Sequence, residues 1–140
     1  MNKIAVLGFS REGKAVLAYL KKSQEYKNTQ ITILDRDEKI KTPKEIAKIL
    51  GANYLKNLSQ FEIIFRSPGI PYESREIQEA IKNGVVFSSA TKLFFENKKG
   101  LVIGITGTKG KGTTSTLLYN ILKAAKYEVN LAGNIGLPAF

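Results

Sequence analysis

Short apolar runs alternate with amphipathic stretches from the start of the chain. KIAVLG, residues 3–8, is an apolar run closed by a glycine, and REGKAVLAYLKK follows it with Val16, Tyr19 and Leu20 at helical spacing. TQITILD is a second, β-branched strand ending at Asp35. TPKEIAKIL, residues 42–50, opens with Thr42 and Pro43 and stops at Gly51, which predicts a helix. FEIIFRSPGIP, residues 61–71, reads as a strand running into a proline-glycine loop. YESREIQEAIKNG is a helix ended by Gly84, and VVFSS is another strand. Alternation of this kind predicts an α/β domain, a mostly parallel sheet with helices on both faces, over residues 1–93.

The pattern restarts in FFENKKG, residues 94–100. LVIGIT is expected to be a strand, a glycine-rich turn comes next, and TTSTLLYNILKAAK carries Leu117, Leu118, Ile121, Leu122 and Ala125 on one helical stripe. YEVNLAG, residues 127–133, reads as the following strand. Residues 94–140 are thus expected to begin a second α/β domain without completing it, since one strand-turn-helix-strand unit cannot cover both faces of its own sheet.

Composition narrows the chemistry. The 140 residues include neither cysteine nor histidine, so disulfides, thiolate metal sites and Ser-His or Cys-His catalysis within this chain are excluded. No run approaches the roughly 20 apolar residues that span a bilayer. A cytoplasmic protein that does not bind membrane is expected. The net charge of +10 raises nucleic acid as a partner. The lysines, however, are scattered through helical segments and form no dense tract, so solvated helix faces are the simpler reading. A field favourable to a polyphosphate is compatible with that reading.

Two glycine turns carry the candidate chemistry. GFSREG, residues 8–13, stands where a dinucleotide-binding G-x-G-x-x-G belongs, with Gly8 and Gly13 in place and Ser10 at the middle position. A side chain there counts against ordinary NAD binding. Asp35, 22 residues after Gly13, is placed to accept hydrogen bonds from a ribose or base. A tight β-α turn with no ligand, and an aspartate serving only that turn, explains the same residues. GITGTKGKGTTS, residues 104–115, is close to a phosphate-binding G-x-x-x-x-G-K-[ST] loop but departs from it twice. Ile105 stands at the first glycine position, and Gly112 replaces the hydroxyl that would ligate magnesium. Backbone N–H groups from Thr108 to Thr113 can still converge on phosphate oxygens at a helix N-terminus. Lys111 adds a full charge there and Lys109 a second. The alternative is a glycine-rich connector with two solvated lysines.

Taken together, ITGTKGKGTT, SPGIP at residues 67–71 and GNIGLP at residues 133–138 resemble the Mur ligases of peptidoglycan synthesis. VLGFSREG is similar to their first turn as well. The resemblance covers essentially the whole chain. It implies a Rossmann-like domain over residues 1–93 that holds a UDP substrate, followed by the start of a P-loop ATPase α/β domain over residues 94–140. Carried over residue by residue, it implies UDP-substrate contacts from Phe9, Ser10, Arg11, Asp35, Arg36, Ser67 and Gly69, with Asn134 near the muramoyl portion. It implies ATP binding by Gly107, Thr108, Lys109, Gly110, Lys111, Gly112 and Thr113, with Lys111 acting on the phosphates and Thr113 taking over the Mg2+ contact.

Within the family, the three segments fit best the members that add D-glutamate to UDP-N-acetylmuramoyl-L-alanine through an acyl phosphate, at the expense of ATP. A monomer is expected, and no nucleic-acid partner. The usual asparagine of the ATP loop is Lys109 here, and Ala90 and Lys92 stand where relatives carry acids. The family's remaining catalytic residues and its amino-acid-binding third domain would lie beyond Phe140, so the 140 residues alone are not expected to complete the reaction. Other Mur-type ligases, folylpolyglutamate-type ligases and a non-catalytic nucleotide-binding module remain as alternatives.

Overall fold

A computed structural model describes residues 2–133. The chain divides into two compact units, Met1–Glu96 and Asn97–Phe140.

The first unit is built on strands β1 (Lys3–Leu7), β2 (Gln30–Asp35), β3 (Ala47–Leu50), β4 (Ile63–Arg66) and β5 (Val86–Ser88). All four pairings are parallel, in the order β3-β2-β1-β4-β5. Helices α1 (Arg11–Lys22), α2 (Arg75–Lys82) and α3 (Ala90–Asn97) flank this sheet. Side chains alternate across a strand, and β1 shows what that does. Ile4 and Val6 join Ile33 and Phe65 in one core, against Val16, Leu17 and Leu20 of α1 and Leu93 of α3. Ala5 and Leu7 join Leu34 and Ile64 in the other, against Ile77 and Ala80 of α2. Fully burying one such large aliphatic side chain contributes about 1.5–3 kcal/mol. The two cores on opposite faces therefore hold the central strands in register, and the unit has the Rossmann-like α/β architecture expected from the sequence.

Two segments depart from expectation. No helix forms over residues 42–50; Ala47–Leu50 instead pairs in parallel with Thr32–Asp35 as the edge strand β3. Helix propensities among ordinary residues differ by tenths of a kcal/mol each. The ladder satisfies the outer backbone groups of β2, and Ile46 and Ile49 pack against the two cores. α3 was not anticipated at all. Ser89 starts it, with its Oγ accepting from the Lys92 N–H at 3.1 Å, and Leu93 anchors it in the core.

In the second unit, helix α4 (Lys111–Ala124) forms over the expected stretch and begins two residues early. The strands expected over 101–106 and 127–133 do not form among the described residues; only a lone bridge residue, Ala132, appears. A parallel strand needs a neighbour on its edge, and Leu101, 91% exposed, and Ile103, 53% exposed, have none among the described residues. No residue of α4 is buried either.

Candidate substrate and nucleotide sites

In an open parallel sheet, ligands sit outside the carboxyl ends of the strands where the strand order reverses. Here that point lies between β1 and β4. The loop leaving β1 is Gly8, Phe9 and Ser10; the loop leaving β4 is Ser67 to Pro71. These two loops are stitched together. Ser67 donates its N–H to the Leu7 carbonyl at 2.8 Å and its hydroxyl to the Gly8 carbonyl at 2.9 Å. Gly8 in turn donates its N–H to Leu34 O at 2.8 Å.

The glycines of this turn answer to contact. Gly8 has φ +88°, and a Cβ on it would come within 2.8 Å of Ser67 Cβ. A Cβ on Gly13 would run into the Gly8 carbonyl oxygen, which draws the first turn of α1 tightly onto the loop. Ser10 is the N-cap of α1, yet its side chain makes no capping bond. The first intrahelical bond is Lys14 N–H to Ser10 O at 3.0 Å. The N–H groups ahead of it and the helix dipole together favour an anion at this end.

The predicted residues fall into distinct roles. Phe9 is buried in the core at 2% exposure and offers the site only its backbone. Its N–H donates to Asp35 Oδ2 at 2.5 Å, while Asp35 Oδ1 accepts from Asp37 N–H at 2.9 Å. The Asp35 carboxylate thus braces the ends of β1 and β2, and any ligand would share oxygens already accepting one bond each. Ser10, Arg11 and Arg36 are exposed around it. Ser67, Pro68, Gly69 and Ile70 form a turn closed by Ile70 N–H to Ser67 O at 3.2 Å, with Pro68 and Gly69 at its exposed tip. The depression lined by Glu12, Gly13, Val16, Phe65, Arg66, Ser67 and Ala90 is too narrow for a water molecule, so a ligand here would lie across the loop tips.

Sequence reasoning passed over Arg66. It ends β4, is half-buried, and its Nη1 donates to Ser67 O at 3.2 Å and to Ile70 O. A charged residue as the last position of a buried strand, next to a loop motif, was the available signal.

In the second unit, Gly107 and Gly110 take positive φ, +150° and +77°, and Gly110 is the N-cap of α4. Lys111 folds back so that its Nζ donates to Gly107 O at 2.5 Å, which places the ammonium over its own loop. Thr114 N–H to Gly110 O, 2.9 Å, is the first bond of the helix, ahead of which stand the N–H groups of Lys111, Gly112 and Thr113. Thr108 and Lys109 are exposed. Ser115 Oγ donates back to the carbonyls of Lys111 and Gly112, 2.8 and 3.1 Å away. Thr113 is the exposed hydroxyl next to Gly112. Asn134 and most of the GNIGLP segment lie outside the described residues.

Residues 2–88 match the family described as Mur ligase MurD-like, N-terminal domain. The chain belongs to that family. It is similar to the UDP-N-acetylmuramoylalanine–D-glutamate ligase of Acetivibrio thermocellus, 35% identical over 98% of this chain and 30% of the relative. The enzymes of the same name from Clostridium kluyveri, 33% identical over 99% of this chain and 31% of the relative, and Haemophilus influenzae, 34% identical over 99% and 32%, are similar in the same way. This MurD-like chain therefore spans about a third of the length of the curated relatives it matches. Among the described residues, no helix is long and apolar enough to cross a membrane.

Proposed function

We propose that the chain is the substrate- and nucleotide-binding part of an ATP-dependent ligase that joins D-glutamate to UDP-N-acetylmuramoyl-L-alanine in peptidoglycan precursor synthesis. The observation that carries this reading is the stitched pair of loops at the β1/β4 reversal, GFSREG and SPGI, in a chain whose relatives with that printed activity align along nearly its whole length. In this reading residues 1–93 hold the UDP moiety and residues 94–140 open the ATP-binding domain. In this reading the protein works in the cytoplasm, where ATP and nucleotide-linked sugars are supplied, and a monomer is part of the proposal.

The roles follow from the groups present. The uncapped N-terminus of α1, with Ser10 and Arg11, receives the diphosphate, while Asp35, Arg36 and the Ser67–Gly69 turn receive the nucleoside. Gly107 to Thr113 surround the ATP phosphates with backbone N–H groups, and Lys111 swings from its own loop carbonyl onto the phosphate oxygens. The alanine carboxylate attacks the γ-phosphorus, ADP leaves, and the D-glutamate amine then displaces phosphate from the acyl phosphate to form the amide. The contribution of Lys111 is to neutralise charge that builds on the transferring group.

The described residues contain no group of three His, Cys, Asp or Glu side chains that could hold a metal. In the ATP loop Gly112 has no hydroxyl, and that of Ser115 is turned onto the helix. Thr113 is the one remaining hydroxyl beside Gly112 in the loop.

Amide chemical shifts test the reading. UDP should move Phe9 to Arg11, Asp35 and Gly69, and ATP should move residues 107–113. UDP shifts confined to residues 104–115 would reject the assignment of the first unit.

A further inference from the structure

Among the described residues, the half-buried cation at the end of β4 has no carboxylate partner; the ion pairs Lys21–Glu45 and Lys92–Glu96 do not involve it. Glu12 lines the same depression as Arg66, yet no ion pair joins the two. Arg66 instead spends its guanidinium on the backbone. One nitrogen, Nη1, reaches the carbonyls of Ser67 and Ile70, the two ends of the SPGI turn. The guanidinium carbon stands 5.3 Å from the centre of the Tyr72 ring, and Tyr72 meets Phe87 of β5 edge-on, with centroids 6.3 Å apart.

Ile70 packs the far end of the turn against the core, while the tip has no side-chain support of its own. Pro68 and Gly69 are exposed, a Cβ on Gly69 would touch nothing within 4 Å, and the hydroxyl of Ser67 is committed to the Gly8 carbonyl. Drawing both terminal carbonyls onto one cation fixes where the tip of the turn points. A charge-assisted bond of this kind is about twice as strong as a neutral one, and the flat ring of Tyr72 keeps the guanidinium from swinging out to water.

We infer that Arg66 is a positioning residue for the nucleoside site: it clamps the SPGI turn into the shape that receives the ligand, and makes no contact with the phosphates itself. This rests on the UDP site proposed above. A clamp that acts through the turn affects any ligand the turn touches, whether or not that ligand is charged. A direct phosphate contact affects only the charged one.

Titration of the 140-residue chain with uridine and with UDP separates the cases. Arg66→Gln should weaken both ligands by a similar factor, roughly tenfold for loss of a charge-assisted anchor. Without ligand, the same variant should lower the NMR order parameters of the Gly69 and Ile70 amides while those of β1 stay unchanged. Arg66→Lys places one nitrogen donor near the same two carbonyls, and should restore most of the affinity and the order. It also serves as the folded control if the glutamine variant unfolds. Unchanged binding in Arg66→Gln, or a loss seen for UDP but not for uridine, overturns the clamp. If the unsubstituted chain binds neither ligand, the UDP site itself is rejected, and the clamp with it.

Discussion

The closest approach in the candidate site is between the first turn of α1 and the loop it grows from, and Gly13→Ala tests whether that approach is obligatory. A methyl group on Gly13 would meet the Gly8 carbonyl oxygen, with the Gly8 carbonyl carbon 3.1 Å away and Val6 Cγ1 3.3 Å away. The obstacle is backbone, and Gly8 is held by its own bond to Leu34 O and by the Ser67 hydroxyl. Neither side can yield by rotating a side chain. Overpacking of this sort costs about 1–3 kcal/mol, more when backbone must move. Alanine in a helix returns up to about 1 kcal/mol relative to glycine. The net expectation is a loss of about 2 kcal/mol, enough to lower the thermal midpoint of a unit this size by roughly 10 °C. Gly69→Ala is the matched control: Gly69 is not in the left-handed region and has open space around it, so its variant should stay within about 0.5 kcal/mol of the parent. Urea unfolding followed by far-ultraviolet circular dichroism reads both. A Gly13→Ala midpoint equal to or above that of the parent would refute the close-approach argument.

Asp35→Ala strands the part-buried Phe9 N–H as well as the exposed Asp37 N–H, and should destabilise the first unit by about 1–3 kcal/mol in the same urea assay; Asp35→Asn, which keeps one acceptor oxygen, should fall between. A purely ligand-facing Asp35 would leave stability untouched. Tyr26 supplies a pH test. Burial, and after it the Glu25 carboxylate, pushes its phenol from the ordinary 10.0 up to about 12. A phenol held neutral in the fold adds stability that is complete below its unfolded value near 10 and is lost as pH rises towards 12. Ultraviolet titration should show one of the six tyrosines ionising late, and Tyr26→Phe should remove that step; if the late step survives the substitution, the assignment is wrong.

What could be read in advance follows from how far each signal reaches along the chain. β1, α1, β2, β4, α2 and β5 all announce themselves through apolar residues at a fixed spacing, because each is buried by the two cores that the alternation itself creates. β3 did not, since its structure comes from pairing with Thr32–Asp35, each residue paired with one about fifteen positions earlier, while its own composition favours a helix. The strands expected around α4 failed for the complementary reason. LVIGIT has strand composition but no pairing partner among the described residues, so its local preference had nothing there to act on. The same division runs through the candidate site. Gly8, Gly13, Ser67 and the SPGI turn were legible because their spacing to the strand ends is local. That both Asp35 oxygens are taken by backbone N–H groups, and that Arg66 turns back onto the loop after it, depends on contacts between chain segments that sequence spacing does not encode. Contacts that organise a loop by reaching across it are thus what motif reading passes over: spacing singled out Asp35 but not the two N–H groups it holds, and it missed Arg66 altogether, the two standing one on each side of the point where the strand order reverses.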